Sequence, residues 1–495
     1  MRALHHTARN FSVVAMAQAI TWTATFLFTL AQARYLEPAR FGELSLALSY
    51  AALLAVVVDF GLSAKVARDV AQRPASARQA LMATLVVRVG IWTLAMPAVW
   101  ATTVLLGYHA ELQASILILG GSLLIGGFSA SLGAYFQGRE EFLVPSLGSI
   151  AQRGSAAALG VAALAMGHGI IAVAIAYALA SVVQVVVLLL GVRKRPVAFS
   201  VPERVAVVDM FRGAAIMGCF WILGTFYYNV DMLILQRLVP LENVAWYAAA
   251  YRLFNAAVTL VAFTSGAVLY PVMARLSVGP REELRGAMEK SFTYLLASGV
   301  FVALTLVIAA DQVVALLYPA REYGEAATAL RLLAPALAAM YTNGVFFLAL
   351  LGMGYERRLV LMAAFLAVLN PIANVLVIPI LRQDGAAVVT SLTELIVLIW
   401  VLALTPKDLR SAANPATVLR IVAGGAPAAA CLWALPDGLF IGVPLAGIVY
   451  LATLRALGVI PAADLRALRE LVSRPHRGVK TLDTGRVVSP GTAEP

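Results

Sequence analysis

The chain is 495 residues long, 61% hydrophobic and only 13% charged, with 37 Lys and Arg against 26 Asp and Glu. Soluble domains carry about 25% charged residues, so this composition excludes an ordinary water-facing globule and points to helices that face lipid. The positive charge is scattered through short loops and a tail, which fits a membrane surface and excludes a basic nucleic-acid-binding domain.

Apolar blocks long enough to cross about 30 Å of hydrocarbon recur along the chain. In order, the predicted spans are 11–33, 41–60, 79–106, 113–135, 146–166, 170–192, 212–235, 244–272, 289–310, 327–351, 358–380, 385–405, 418–435 and 439–457. Lipid offers backbone groups no hydrogen-bond partner, and the blocks lack the alternation of a barrel. The fold class is therefore all-α integral membrane with about 14 transmembrane helices. The first block follows Arg2 and Arg9, is longer than the roughly 7–15 apolar residues of a signal peptide, and ends at Gln32-Ala33-Arg34 without a small-residue cleavage site, so it reads as a retained span.

Loop charge sets the expected orientation, because Lys and Arg near span ends stay on the cytoplasmic side. One set of loops holds nineteen of them, among them Lys65, Arg68, Arg139, Arg204, Arg281 and Arg358, while the opposite set holds five: Arg34, Arg40, Arg237, Arg321 and Arg382. Both termini are thus expected in the cytoplasm, in a cell (inner) membrane. The expected organisation is an N-terminal six-helix lobe over 1–192, a cytoplasmic linker over 193–211, a C-terminal six-helix lobe over 212–405, an additional helix pair over 418–457 and a partly disordered cytoplasmic tail over 458–495. Within the tail, Pro461 to Val472 reads as an amphipathic or ordinary solvated helix. The outer loop Asp311–Ala326 is the largest on its side and is short.

A faint repeat links the halves. Gln32-Ala33-Arg34-Tyr35-Leu36-Glu37-Pro38 leads into Phe41-Gly42, and Gln236-Arg237-Leu238-Val239-Pro240 leads into Val244-Ala245. Gly138 and Gly354, like Gly169 and Gly385, share an offset of 216 residues and are expected at matching loop positions. Lobes related in this way pack face to face around a central cavity.

Several fragments carry a family resemblance: Ala33-Arg34-Tyr35-Leu36-Glu37-Pro38-Ala39-Arg40-Phe41-Gly42, Asp59-Phe60-Gly61-Leu62, Val66-Ala67-Arg68-Asp69, Asp231-Met232-Leu233-Ile234-Leu235, Tyr247-Ala248-Ala249-Ala250-Tyr251-Arg252-Leu253, and Asn374 to Pro379 leading to Gly385-Ala386-Ala387. Through them the sequence resembles the polysaccharide (O-antigen and oligosaccharide-lipid) flippases of the multidrug, oligosaccharidyl-lipid and polysaccharide exporter superfamily, over about residues 1–405. The resemblance implies two helical bundles around a central cavity, a lipid-linked oligosaccharide as substrate, and membrane lipids, polysaccharide polymerase and glycosyltransferases as partners in building O-antigen, lipopolysaccharide or exopolysaccharide.

Ionisable groups inside spans cost about 2.5–3.5 kcal/mol each on insertion scales, so they face a wet cavity or a partner. Arg88 lies roughly 14 Å into the third span and Arg153 roughly 10 Å into the fifth, both in the cytoplasmic half, while Arg252 lies in the outer half of the eighth. An isoprenoid diphosphate is anionic, and guanidinium stays protonated and contacts phosphate bidentately, so these three arginines are expected to form a cationic substrate cavity, with an ion pair or a snorkelling side chain as the structural alternative. Arg331 reads as snorkelling. Glu394, near mid-membrane, and Asp231 are candidates for proton or sodium coupling or for gating, and a pair between Asp231 and Arg252 is geometrically feasible. Asp59 reads as the end of its span.

There is no glycine-rich phosphate loop with Lys, no HExxH, no CxxC and no nucleophile with His and acid in one loop, so no enzyme, cofactor or metal is expected. A drug exporter of the same superfamily would need an acidic, aromatic cavity. A polysaccharide polymerase or ligase would need a sizeable outer loop carrying acidic or His residues.

Overall fold

The computed structural model describes residues 2–72, 77–139, 141–192, 202–264, 269–435 and 439–461, and these form α-helices joined by short turns. The N-terminal lobe consists of α1 (Arg2–Tyr35), α2 (Pro38–Asp59), α3 (Leu62–Gln72), α4 (Ala77–Leu105), α5 (Ala110–Gly138), α6 (Leu143–Ala165) and α7 (Ile170–Val192). The C-terminal lobe consists of α8 (Arg204–Leu238), α9 (Leu241–Thr264), α10 (Tyr270–Leu276), α11 (Arg281–Ile308), α12 (Ala310–Leu317), α13 (Ala320–Tyr323), α14 (Ala326–Gly352) and α15 (Glu356–Leu404). After the four-residue α16 (Lys407–Arg410), the pair α17 (Pro415–Ala434) and α18 (Leu439–Ala456) packs on α11. Each predicted span falls on helix, apart from residues 265–268, which lie outside the described residues. Nine helices among the described residues are long and apolar enough to cross a membrane.

Local chemistry explains the boundaries. Pro38 opens α2, where its missing N–H costs nothing, and Pro415 opens α17 behind the side-chain cap of Asn414. The proline turns before α2 and α9 lie on one face of the molecule, the turn face; the opposite, elbow face carries the bend between α2 and α3. That bend is made by Phe60 at φ 44° and Gly61 at φ 73°, two consecutive left-handed residues. The expected spans 358–380 and 385–405 join within α15, broken at the turn face by Arg382 (φ 52°, ψ −132°).

The stretch 310–323 forms α12 and α13, because Asp311 starts an amphipathic turn and Pro319 restarts the helix. Two expectations need correction. The linker is shorter than 193–211, since α8 begins at Arg204 behind Glu203; residues 193–201 and the tail from 462, with its amphipathic stretch, lie outside the described residues. Gly138 closes α5 and Gly385 lies inside α15, so the glycine offset joins helical with turn positions. Gly354 is a true turn glycine, at φ 80°.

Between lipid-facing helices no hydrophobic force acts, so close van der Waals approach through small residues holds the bundle. At the turn face a β-carbon on Gly42 of α2 would stand 2.5 Å from the Leu241 carbonyl oxygen of α9, which sets the two lobes in backbone contact. At the elbow face a β-carbon on Gly218 of α8 would stand 2.6 Å from the Phe60 carbonyl oxygen, and the Phe60 and Phe211 rings stack with centroids 5.1 Å apart. Thus α8 touches both lobes.

Candidate functional site

The lobes meet around a cavity of about 160 Å³ lined by Ser45 and Ser49 of α2, Asn229 and Asp231 of α8, and Arg252 and Asn255 of α9. The α9 segment Tyr247-Ala248-Ala249-Ala250-Tyr251-Arg252 explains how it is built. Its alanines are buried and let α2 approach, while Arg252 emerges one position beyond Tyr251 at the seam.

Arg252 is partly buried and reaches across the seam. Nη1 donates to Gln32 Oε1 at 3.4 Å and Nη2 to Ser45 Oγ at 3.2 Å, and the guanidinium carbon stands 4.8 Å over the Phe41 ring. No carboxylate pairs with it among the described residues. The Phe41 ring meets Tyr323 edge-on at 5.8 Å, and Tyr323 lies 5.2 Å from Tyr318. Both tyrosine hydroxyls are buried without a hydrogen-bond partner among the described residues. Burial pushes the Tyr318 phenol up to about 12 and raises that of Tyr323, so both remain protonated donors.

Asp231 shares the cavity with Arg252 but does not pair with it. Its Oδ1 accepts the Met232 N–H at 2.8 Å and its Oδ2 accepts the Tyr247 hydroxyl, so both carboxylate oxygens are satisfied within the C-terminal lobe. Glu394 lies in a separate cavity of about 380 Å³ inside that lobe, lined mainly by apolar and aromatic residues including Tyr227, Tyr228 and Phe347. It accepts from Tyr227 at 3.0 Å and from Asn343 at 3.1 Å.

The other two arginines sit apart. Arg88 is buried, and its Nη2 bonds Asp59 at 2.8 Å and Ser63 at 3.2 Å, clamping α4 to the bend between α2 and α3. Asp59 does end its helix, and it holds Arg88 as well. Arg153 is exposed on α6 and has no partner among the described residues. In this conformation, then, only Arg252 of the three lines the interlobe cavity.

Above that cavity the turn face is closed by contacts across the lobes. Tyr108 donates to Gln236 at 2.8 Å, Arg237 to the Leu106 carbonyl at 3.2 Å and Arg34 to the Leu316 carbonyl at 3.4 Å. His109 caps α5 and contacts Glu43 at 2.9 Å. Sequence reasoning does not single out Ser45 and Asn343, and it names Gln32 and Tyr247 only within the repeat and the family fragments, with no role at a site. The available signal was weak: polar residues such as Gln32 inside apolar blocks.

Among known proteins, the sequence profile described as polysaccharide biosynthesis protein matches residues 7–277. No curated protein sequence matches the chain. The fold is similar to that of the lipid II flippase MurJ in an inward closed conformation, with a TM-score of 0.73 at 13% identity, covering 90% of this chain and 99% of that one. It is also similar to an inward-facing multidrug resistance MATE family transporter of the MOP superfamily (TM-score 0.64, 17% identity, 79% and 96% covered). A MOP superfamily transporter from Pyrococcus furiosus, whose binding pocket is described as reversed in polarity, matches with a TM-score of 0.57 at 17% identity, covering 82% and 96%.

Proposed function

Because the chain belongs to the polysaccharide biosynthesis protein family, we propose that it flips an isoprenoid-diphosphate-linked oligosaccharide from the cytoplasmic to the outer leaflet of the inner membrane, by alternating access, for cell-surface polysaccharide assembly. The observation that carries this reading is the surplus of donors at the seam. Among the described residues no carboxylate pairs with Arg252, and the protonated hydroxyls of Tyr318 and Tyr323 have no acceptor. A diphosphate supplies the acceptors that this arrangement lacks. Arg252 holds the headgroup beneath the closed turn face while the isoprenoid stays in lipid, and Arg153 offers a cation toward the cytoplasmic side. Arg88, held by Asp59, joins the path only in a state where that pair opens. The nineteen-to-five loop count supports a turn face outside and termini in the cytoplasm, which reporter fusions near Tyr318 and after Val488 test directly.

Glu394 and Asp231 support a second reading, a cation-coupled multidrug exporter, since the Glu394 cavity is acidic and aromatic. Reconstituted vesicles separate the two. A flippase moves a fluorescent isoprenoid-diphosphate oligosaccharide, loses that activity in Arg252→Ala and keeps part of it in Arg252→Lys, where charge survives without the bidentate fork. Normal flipping per molecule in Arg252→Ala, or export of a cationic dye with no flipping at all, overturns the proposal.

A further inference from the structure

On the turn face, the start of α9, the start of α14 and the break in α15 enclose an open cavity of about 500 Å³, separate from the two already described. Its size falls within the roughly 300–1,000 Å³ of small-molecule sites. The polar and aromatic lining is Asn243, Trp246, Glu325, Arg382, Gln383 and Asp384. Two carboxylates, two carboxamides, a guanidinium and an indole make a wall rich in acceptors and donors with one flat apolar surface.

That wall is braced. Trp246 Nε1 donates to the Glu322 carbonyl at 2.7 Å, which fixes the indole. Asn243 donates to Gln383 at 2.5 Å, tying α9 to the break in α15. Arg382 occupies its left-handed backbone position without being glycine, a conformation that persists only where the surroundings hold it. Asp384 Oδ1 is buried and accepts no hydrogen bond among the described residues, so the cavity carries an acceptor open to a donor.

Hydroxyl groups donate to carboxylates and accept from amides, while the C–H face of a sugar ring lies against an aromatic surface. We propose that this cavity is a saccharide site for neutral or amine-bearing sugar units. Its two carboxylates against one guanidinium disfavour phosphates and uronic acids. The inference rests on the flippase reading and deepens it: the site receives the glycan end of the cargo at the face where it leaves.

The test is binding of lipid-free saccharides to the full chain in nanodiscs, by saturation-transfer NMR and calorimetry. The probes are trimers of N-acetylglucosamine, of glucosamine and of galacturonate. Saturable binding of the first two is expected, with the galacturonate trimer at least about tenfold weaker. Trp246→Ala and Asp384→Asn should each weaken binding by about tenfold, and Glu325→Gln, at an exposed carboxylate that leaves the fold intact, by about threefold. Thermal unfolding and gel filtration show whether each variant is folded. Absence of saturable binding, or unchanged isotherms in the folded variants, overturns the proposal. If wild-type protein flips a lipid-linked oligosaccharide yet binds no trimer, this inference fails alone. If trimers bind but nothing is flipped, the flippase reading fails and the saccharide site stands.

Discussion

The guanidinium of Arg252, in the C-terminal lobe, lies 4.8 Å over the ring of Phe41, in the N-terminal lobe. A cation–π contact of this kind contributes about 0.5–1 kcal/mol where solvent reaches it, and here it also closes the seam. Phe41→Leu keeps apolar bulk and removes the ring's negative face. Transport per molecule should fall about two- to fivefold in that variant, with membrane abundance little changed. Unaltered transport would show that the ring is mere packing.

Arg88 should behave differently from Arg252, because its partner is Asp59 and its surroundings are buried protein. Asp59→Asn leaves a buried cation with a neutral partner, a loss of about 2 kcal/mol from a charge-assisted bond. The expected result is a lower unfolding midpoint and reduced membrane abundance, with near-normal flipping per surviving molecule. A double-mutant cycle with Arg88→Met measures the pair itself: independent, additive effects would mean that the two groups are not coupled.

The turn face should be closable by a covalent tie. Leu106 and Arg237 meet across the lobes, the arginine donating to the leucine carbonyl. After Cys219 and Cys431 are replaced by Ser, cysteines at 106 and 237 should cross-link readily with a short bifunctional maleimide and stop transport, and cleavable reagents should restore it on reduction. Full activity of the cross-linked protein would refute an opening of this face during transport.

Glu394→Gln retains the hydrogen bond to Tyr227 and removes the exchangeable charge. If Glu394 couples transport to an ion, flipping in this variant should lose its dependence on proton or sodium gradients while headgroup binding at Arg252 persists. A gradient dependence identical to wild type would leave Glu394 as a helix contact with Asn343.

The helices were legible in the sequence because spanning a bilayer demands long apolar runs, and 170–192 was predicted to the residue. Short helices were not. The α3 segment carries Lys65, Arg68 and Asp69, so it reads as a charged loop, and α12 is too brief to register as a span. The site was legible only as a set of charged residues at approximate depths. Depth along a helix says which half of the membrane a residue occupies, but not which way it faces. Arg88 and Arg252 read alike as cations inside spans, one in each half of the membrane, and only the surrounding helices separate a cation held by Asp59 from one that pairs with no carboxylate among the described residues.

The dual packing of α8 bears on how the chain can be divided. This helix of 35 residues rests on α2, α3 and α4 as well as on α15, so it acts as a built-in dowel between the two halves. Genes encoding 1–192 and 204–495 separately should yield fragments that find one another in the bilayer and co-purify, with the second fragment bringing its own coupling pin. Moving the cut to Val239 leaves that pin on the first fragment, where it still meets α15 along its outer half. Split versions of this chain should therefore tolerate a break on either side of α8, and fail when the break falls within it.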